Sequence, residues 1–178
     1  MERILLHICC APCLIYPLER LREQGYEVMG FFYNPNIHPQ EEYEQRRKAV
    51  EDFSHVAELE VIYPEYNPED FLRVIKGNEI NPGRCPLCWE LRLQATALAA
   101  KKMNITNFTS TLLVSPYQDQ ALLEGIGYHI EEEENVNFYL EDFRTGFRKA
   151  HQYARAQGIY CQKYCGCMFS KEERNIKK

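Results

Sequence analysis

The stretch RILLHICCAPCLIYPLERLREQG, residues 3–25, decides the fold. After Arg3, residues 4–9 form an apolar run broken only by His7, and residues 3–9 read as a buried strand. Ala11-Pro12 turns the chain. A helix is then expected from about Leu14 to Gln24, with Pro17 near its start and Gly25 as its stop. A buried strand leading straight into a helix is the opening of an α/β fold.

The alternation continues outward from that unit. Residues 27–33 read as a second strand, broken by Asn34-Pro35-Asn36. Residues 40–56 are charged, with spaced Tyr43, Val50 and Phe53, and read as a solvent-facing helix. Residues 59–63 suggest a third strand, and Pro68 to Lys76 a short helix. After the Asn81-Pro82-Gly83 turn comes a strong helix from Leu87 to Met103, striped by Leu91, Leu93, Ala95, Leu98 and Ala99. Residues 108–114 read as a strand, and a helix starts at Asp119 to Glu124. Residues 136–140 suggest a strand and 145–157 a helix stopped by Gly158. The expected architecture is one α/β domain over residues 1–178, with a mostly parallel sheet flanked by helices. Ligands of such folds bind outside the carboxyl ends of the strands. Cys9 and Cys10, Tyr33-Asn34, and Ser110 to Tyr117 all fall on that rim, so a cofactor is expected there.

Composition sets the class. A chain of 178 residues buries a core without disulfide staples. It has no run of about 18 apolar residues, so no membrane span is expected. The start passes directly into the apolar strand without a cleavable signal pattern, which points to a cytoplasmic protein. A net charge of −5 argues against coating nucleic acid non-specifically. A local basic face remains open: Arg144, Arg148, Lys149 and Arg155 share one segment, and Lys163, Lys171, Arg174, Lys177 and Lys178 make the C-terminus basic. From charge alone, a plain solvated surface is the better reading of both.

Eight cysteines are many for such a chain, and in a reducing compartment they favour metal ligation or redox work over stapling. They are clustered: Cys9, Cys10 and Cys13; Cys85 and Cys88; Cys161, Cys165 and Cys167. Two Cys-x-x-Cys spacings let thiolates converge on one centre. Cys88, expected to open the helix near Leu87, would gain from its dipole. Three uses stay open: structural zinc on four thiolates, an iron–sulfur cluster on four cysteines, or a dithiol on two. Neighbouring side chains diverge, so adjacent Cys9 and Cys10 suit a larger cluster better than a single zinc. Cys165-Gly166-Cys167 has the spacing for a strained, easily reduced disulfide, or for two further ligands. His7 reads as a satisfied core histidine. His38, Tyr117 and Asp142 are candidate proton donors, Arg144 a candidate phosphate contact, and Tyr117, Phe138 and Tyr139 candidate base-stacking rings, with Phe138 more at home in the core.

The ordered set LLHICCAPC (5–13), FYNPNIHPQEEYEQR (32–46), RCPLCWELRLQATA (84–97), TSTLLVSPYQ (109–118), DFR (142–144) and YCGC (164–167) resembles the epoxyqueuosine reductases of the QueH type. One departure is visible: Cys161 stands where the family's stretch would carry arginine, so no role transfers to it. The resemblance implies reductive deoxygenation of epoxyqueuosine in tRNA, the last step of queuosine synthesis. It implies a [4Fe-4S] cluster without cobalamin, held by Cys9, Cys10, Cys85 and Cys88, and a redox-active pair at Cys165 and Cys167. One additional iron is a further implication, with Cys13 as the nearest unassigned thiolate. The partners are then a tRNA carrying epoxyqueuosine and an electron donor of unknown identity. The competing reading is a non-enzymatic zinc-binding module that recognises tRNA or protein.

Overall fold

In the computed structural model, which describes residues 1–176, the leading stretch forms strand β1 (Arg3–His7) and helix α1 (Ala11–Glu23). Strand β1 is the middle of a five-stranded sheet of order β3-β2-β1-β4-β5, in which every pairing is parallel. The other strands are β2 (Glu27–Phe31), β3 (Val61–Ile62), β4 (Asn107–Ser110) and β5 (Asn137–Phe138). Ile4, Leu5, Leu6 and His7 are wholly buried. That explains why β1 is a continuous apolar run and not an alternating one: the sheet is covered on both faces. Each such aliphatic side chain contributes about 1.5–3 kcal/mol by burial.

The covering helices are α1, α2 (Gln40–Val56), α3 (Pro68–Ile75), α4 (Arg84–Lys102), α5 (Gln120–Glu134), α6 (Phe147–Ala156) and α7 (Met168–Ile176). Helix α1 starts earlier than expected, because Ala11 and Pro12 belong to its first turn. A proline there costs little, since the missing N–H would have no helical partner. Gly25 ends the helix at φ 86°, as anticipated.

Several expected elements differ. Residues 108–114 do not stay extended: only Asn107–Ser110 pair, and Thr111–Val114 wind into a 3₁₀ turn. Ser110 Oγ caps that turn by accepting from Leu112 N at 3.0 Å. The apolar residues there signal burial, which a tight turn in the core satisfies as well as a strand does. The expected strands at 59–63 and 136–140 pair over two residues each. The helix expected over 145–157 is a 3₁₀ turn at Phe143–Gly146 followed by α6. Helix α7 occupies what read only as a basic tail; Lys177 and Lys178 of that tail lie outside the described residues.

The sheet order puts a topological switch between β1 and β4: the chain runs outward through β2 and β3, then returns to the other side of β1. His7 spans this switch. Its Nδ1 lies 2.8 Å from Ser110 Oγ and its Nε2 3.1 Å from the Tyr33 carbonyl. It is the satisfied core histidine the sequence suggested, and burial pushes its pKa down to about 4.

Candidate functional site

Three thiols gather where β1 ends. Cys10 is the N-cap of α1, with extended backbone at φ −169° and ψ 163°. The turn from strand to helix brings the sulfurs together, so the Sγ atoms of Cys9, Cys10 and Cys13 all lie within 4.8 Å of one another. Cys9 and Cys10 are 3.8 Å apart. The expectation that adjacent cysteines diverge is therefore corrected: it holds along a regular strand and fails at a strand–helix junction. Thr111 reaches across the switch. Its Oγ1 accepts from Cys9 N at 3.0 Å and donates to Cys9 Sγ at 3.2 Å. Gln162 Nε2 donates to Cys10 Sγ at 2.9 Å. Hydrogen bonds from the Cys10, Cys13 and Thr111 groups hold the Cys9 thiol well below its ordinary range, while burial pushes Cys10 up.

Cys9 and Cys13 open on a cavity of about 720 Å³, with Cys10 buried behind them. Cys85 and Cys88 line another wall, and Cys165 and Cys167 a third. Helix α4 begins at Arg84, so its N-terminus falls on Cys85 and not, as the sequence suggested, on Cys88. The spacing of three residues places both on one helix face. Cys85 also points its Sγ at Asn81 Oδ1, 2.9 Å away. Burial pushes Cys88 up to about 11, and the Arg92 guanidinium opposes that rise.

Cys165 and Cys167 are free thiols, their sulfurs 3.9 Å apart. At that separation they are not bonded to one another, and no disulfide is formed among the described residues. Gly166 between them sits at φ 132°, a conformation open to glycine. The loop is clamped from outside. Arg46 donates to the carbonyls of Tyr164 and Cys165 at 3.0 and 2.9 Å, and His38 N donates to Gly166 O at 2.8 Å. Arg84 grips Glu173 of α7 with two bonds of 2.9 and 3.0 Å. The Cys167 thiol hydrogen-bonds to Cys165 and pushes its pKa down to about 5, and the same contact pushes Cys167 up.

The cavity's charge is one-sided. Arg46, Arg84, Arg92, Arg148, Arg155 and Lys163 line it, together with His151, and no Asp or Glu does among the described residues. A chain with net charge −5 thus builds a cationic chamber. The basic face that the sequence left open, against the favoured reading of a solvated surface, takes shape at Arg148, Arg155 and Lys163, which line the cavity. It does not take in Arg144, whose guanidinium is tied to Asp142 at 2.7 and 2.6 Å, away from the cavity. Tyr117 stands on the rim, 85% exposed, edge-on to Phe147. Phe138 is core, and Tyr139 packs edge-on against Tyr26. Among the candidate proton donors, Tyr117 lines the cavity, and His38 and Asp142 do not. Cys161 lies outside it, its thiol directed at the Ile159 carbonyl. Sequence reasoning missed Arg46, Arg84, Arg92 and Gln162. The available signal was spacing: Arg92 follows Cys88 by one helical turn, on the face that carries the cysteines.

The sequence model of the family described as "Epoxyqueuosine reductase QueH" matches residues 4–173. A curated protein of that description from Thermotoga maritima is 38% identical over 185 residues, covering 99% of this chain and 94% of its own. Another, from Dehalococcoides mccartyi, is 33% identical and covers 97% of this chain and 94% of its own. Among solved structures, one described as a "predicted subunit of tRNA methyltransferase" from Methanocaldococcus jannaschii superposes with a TM-score of 0.61 at 9% identity, over 87% of this chain and 75% of that one. At that identity the likeness is one of fold alone.

Proposed function

This chain belongs to the epoxyqueuosine reductase QueH family, and on that premise we propose how its thiols divide the reduction of an epoxide. It is an oxidoreductase of the last step of queuosine synthesis. Removing an epoxide oxygen to leave an alkene and water takes two electrons and two protons. In our reading Cys9, Cys10, Cys85 and Cys88 hold a [4Fe-4S] cluster, Cys165 and Cys167 form a redox pair, and Cys13 holds one additional iron. The single domain as a whole serves that centre. The observation that carries the reading is the convergence of six thiols on one cavity at the topological switch, with a seventh, Cys10, directly behind.

The donor set fits the group. Iron–sulfur clusters take four cysteine thiolates, and the thiols at hand outnumber four, in a chamber without carboxylates among the described residues. When bound, the cluster supplies electrons one at a time, and an additional iron supplies Lewis acidity toward an oxygen. The chain's own residues do the rest. Cys165, held as thiolate by the Cys167 thiol, makes with it a store of two electrons and one proton, released as the pair closes to a disulfide. Arg148, Arg155 and Lys163 draw in phosphate, and Tyr117 offers a face for a base. These features support a tRNA carrying epoxyqueuosine as the substrate. Eight free cysteines support a reducing, cytoplasmic setting; no helix among the described residues is long and apolar enough to cross a membrane. An electron donor must re-reduce the pair.

Metal and sulfide analysis of anaerobically purified protein tests this. About four irons and four sulfides per chain are expected, with one more iron if Cys13 binds it. A single zinc without sulfide overturns the reading. Loaded tRNA should turn over much faster than the free epoxyqueuosine nucleoside, with a strong dependence on salt; equal rates would refute tRNA recognition.

A further inference from the structure

We propose that Arg92 is a positioning residue whose charge sets the reduction potential of the cluster site. The inference rests on the ligand assignment above. Three arginines are buried at the cavity, and two of them have carboxylate partners: Arg46 with Glu42 at 2.8 Å, and Arg84 with Glu173 at 2.9 Å. Arg92 is 5% exposed and has none within 4.0 Å among the described residues. Its Nε donates to the Cys88 carbonyl one turn back at 3.2 Å, which turns the guanidinium along the cysteine face of α4 into the cavity. A guanidinium cannot shed its charge, and a buried charge without a counter-ion is costly. A negative partner therefore has to come from the cavity itself. The thiolates of the site are the source: Cys85 and Cys88 lie on the same face of α4 and line the cavity with Arg92, whose Nε is bonded to the Cys88 carbonyl.

Four thiolates around a cluster core of charge 2+ leave a net charge of −2, and taking up one electron makes it −3. A fixed cation beside that group stabilises the more negative form and raises the potential. Hydrogen bonds to the cysteine sulfurs act in the same direction. Here those come from Thr111 Oγ1 to Cys9 and Gln162 Nε2 to Cys10. Arg92 serves the Cys85–Cys88 side, where no neutral donor to either sulfur takes its place among the described residues.

The test is an anaerobic redox titration of the cluster, followed by its electron paramagnetic resonance signal, in the full chain and in Arg92→Gln. At a fixed potential near the wild-type midpoint, the variant's ratio of reduced to oxidised cluster should fall about tenfold, a downward shift of about 59 mV for a one-electron couple. An unchanged midpoint in a variant with full iron and sulfide overturns the proposal. Where Arg92→Gln fails to hold the cluster, Arg92→Lys decides. Restored iron and sulfide with a near-wild-type midpoint supports a charge role, and failure to restore them overturns it. A wild-type protein without iron and sulfide would sink the ligand assignment instead.

Discussion

Two cysteine groups meet across one cavity and are held there by opposite means. Cys9, Cys10 and Cys13 follow the central strand, at its junction with α1. Leu6 pairs with Gly30 on one side and Thr109 on the other, so the sheet itself fixes where the chain emerges. Cys165-Gly166-Cys167 lies in a segment, 159–167, with neither helix nor strand. Side chains from elsewhere fix it: Arg46 on its carbonyls, His38 N on Gly166, Tyr164 Oη on the His38 carbonyl, and Tyr160 Oη on Glu42 at 2.6 Å. A ligand set needs sulfurs that do not move. A redox pair must bring its sulfurs from 3.9 Å to bonding distance, about 2.0 Å, and back. Anchoring the first through the sheet and the second through side chains lets one move without the other.

The sharpest break in this comparison is on the rigid side. Cys9→Ala should remove iron, sulfide and brown absorption, and turnover with them. A variant that keeps full iron and sulfide would mean the strand-end group is not the cluster's anchor. On the clamped side, Cys165→Ser or Cys167→Ser should keep normal iron and sulfide yet lose multiple turnover, with part of a single turnover surviving in chemically reduced protein. Loss of one iron per chain with the rest intact would make the loop a ligand, and the two regions would then share one task.

A smaller effect separates the anchors themselves. Arg46 is 1% exposed, and Arg46→Ala strands two carbonyls and leaves Glu42 with Tyr160 Oη as its remaining partner. Breaking such a buried network should cost about 3–5 kcal/mol in denaturant unfolding. Hydrogen exchange should quicken first over residues 160–167, with β1 amides still protected. Equal loss of protection in both would show them to be one cooperative unit.

The same contrast explains what the sequence disclosed. The rigid region was legible because its order is local: an apolar run, a Pro-bearing turn and a Gly25 stop specify strand, junction and helix in 23 consecutive residues. The cysteine positions on the rim followed from the alternation of elements. The clamped region was not legible, because what orders it is long-range. Nothing near Cys165 announces Arg46, which lies 119 residues earlier. Arg46 sits in the charged stretch 40–56 that reads as solvent-facing, and Arg84 follows the Asn81-Pro82-Gly83 turn with nothing to mark it; only tertiary contacts reveal both as 1% exposed. Helix α7 was hidden for the same reason: Arg84 and Glu173 join it to α4 across 89 residues.

The smallest expected effect concerns Cys165 itself, which is exposed and pushed down to about 5 by the Cys167 thiol. A depressed pKa keeps the thiolate present above that value, and it is lost only as pH falls through about 5. An ordinary cysteine near 8.5 is about 1% thiolate at pH 6.5, so Cys165 gains about a hundredfold in reactive fraction. Its lower basicity returns most of that: a Brønsted slope of about 0.45 over some 3.5 units costs roughly fortyfold in attack on a disulfide. The net advantage is only about two- to threefold, so the decisive reading is the pH profile and not the rate. With substoichiometric aromatic disulfide reagent under anaerobic conditions, the fast-reacting thiol should show a nearly flat rate from pH 6 to 8. An ordinary cysteine would climb about tenfold per unit over that range. Peptide mapping should place the label on Cys165, with Cys9, Cys10, Cys85 and Cys88 protected as ligands. If Cys165 resists until iron is stripped, it is itself a ligand, and the division between a fixed anchor and a movable pair fails.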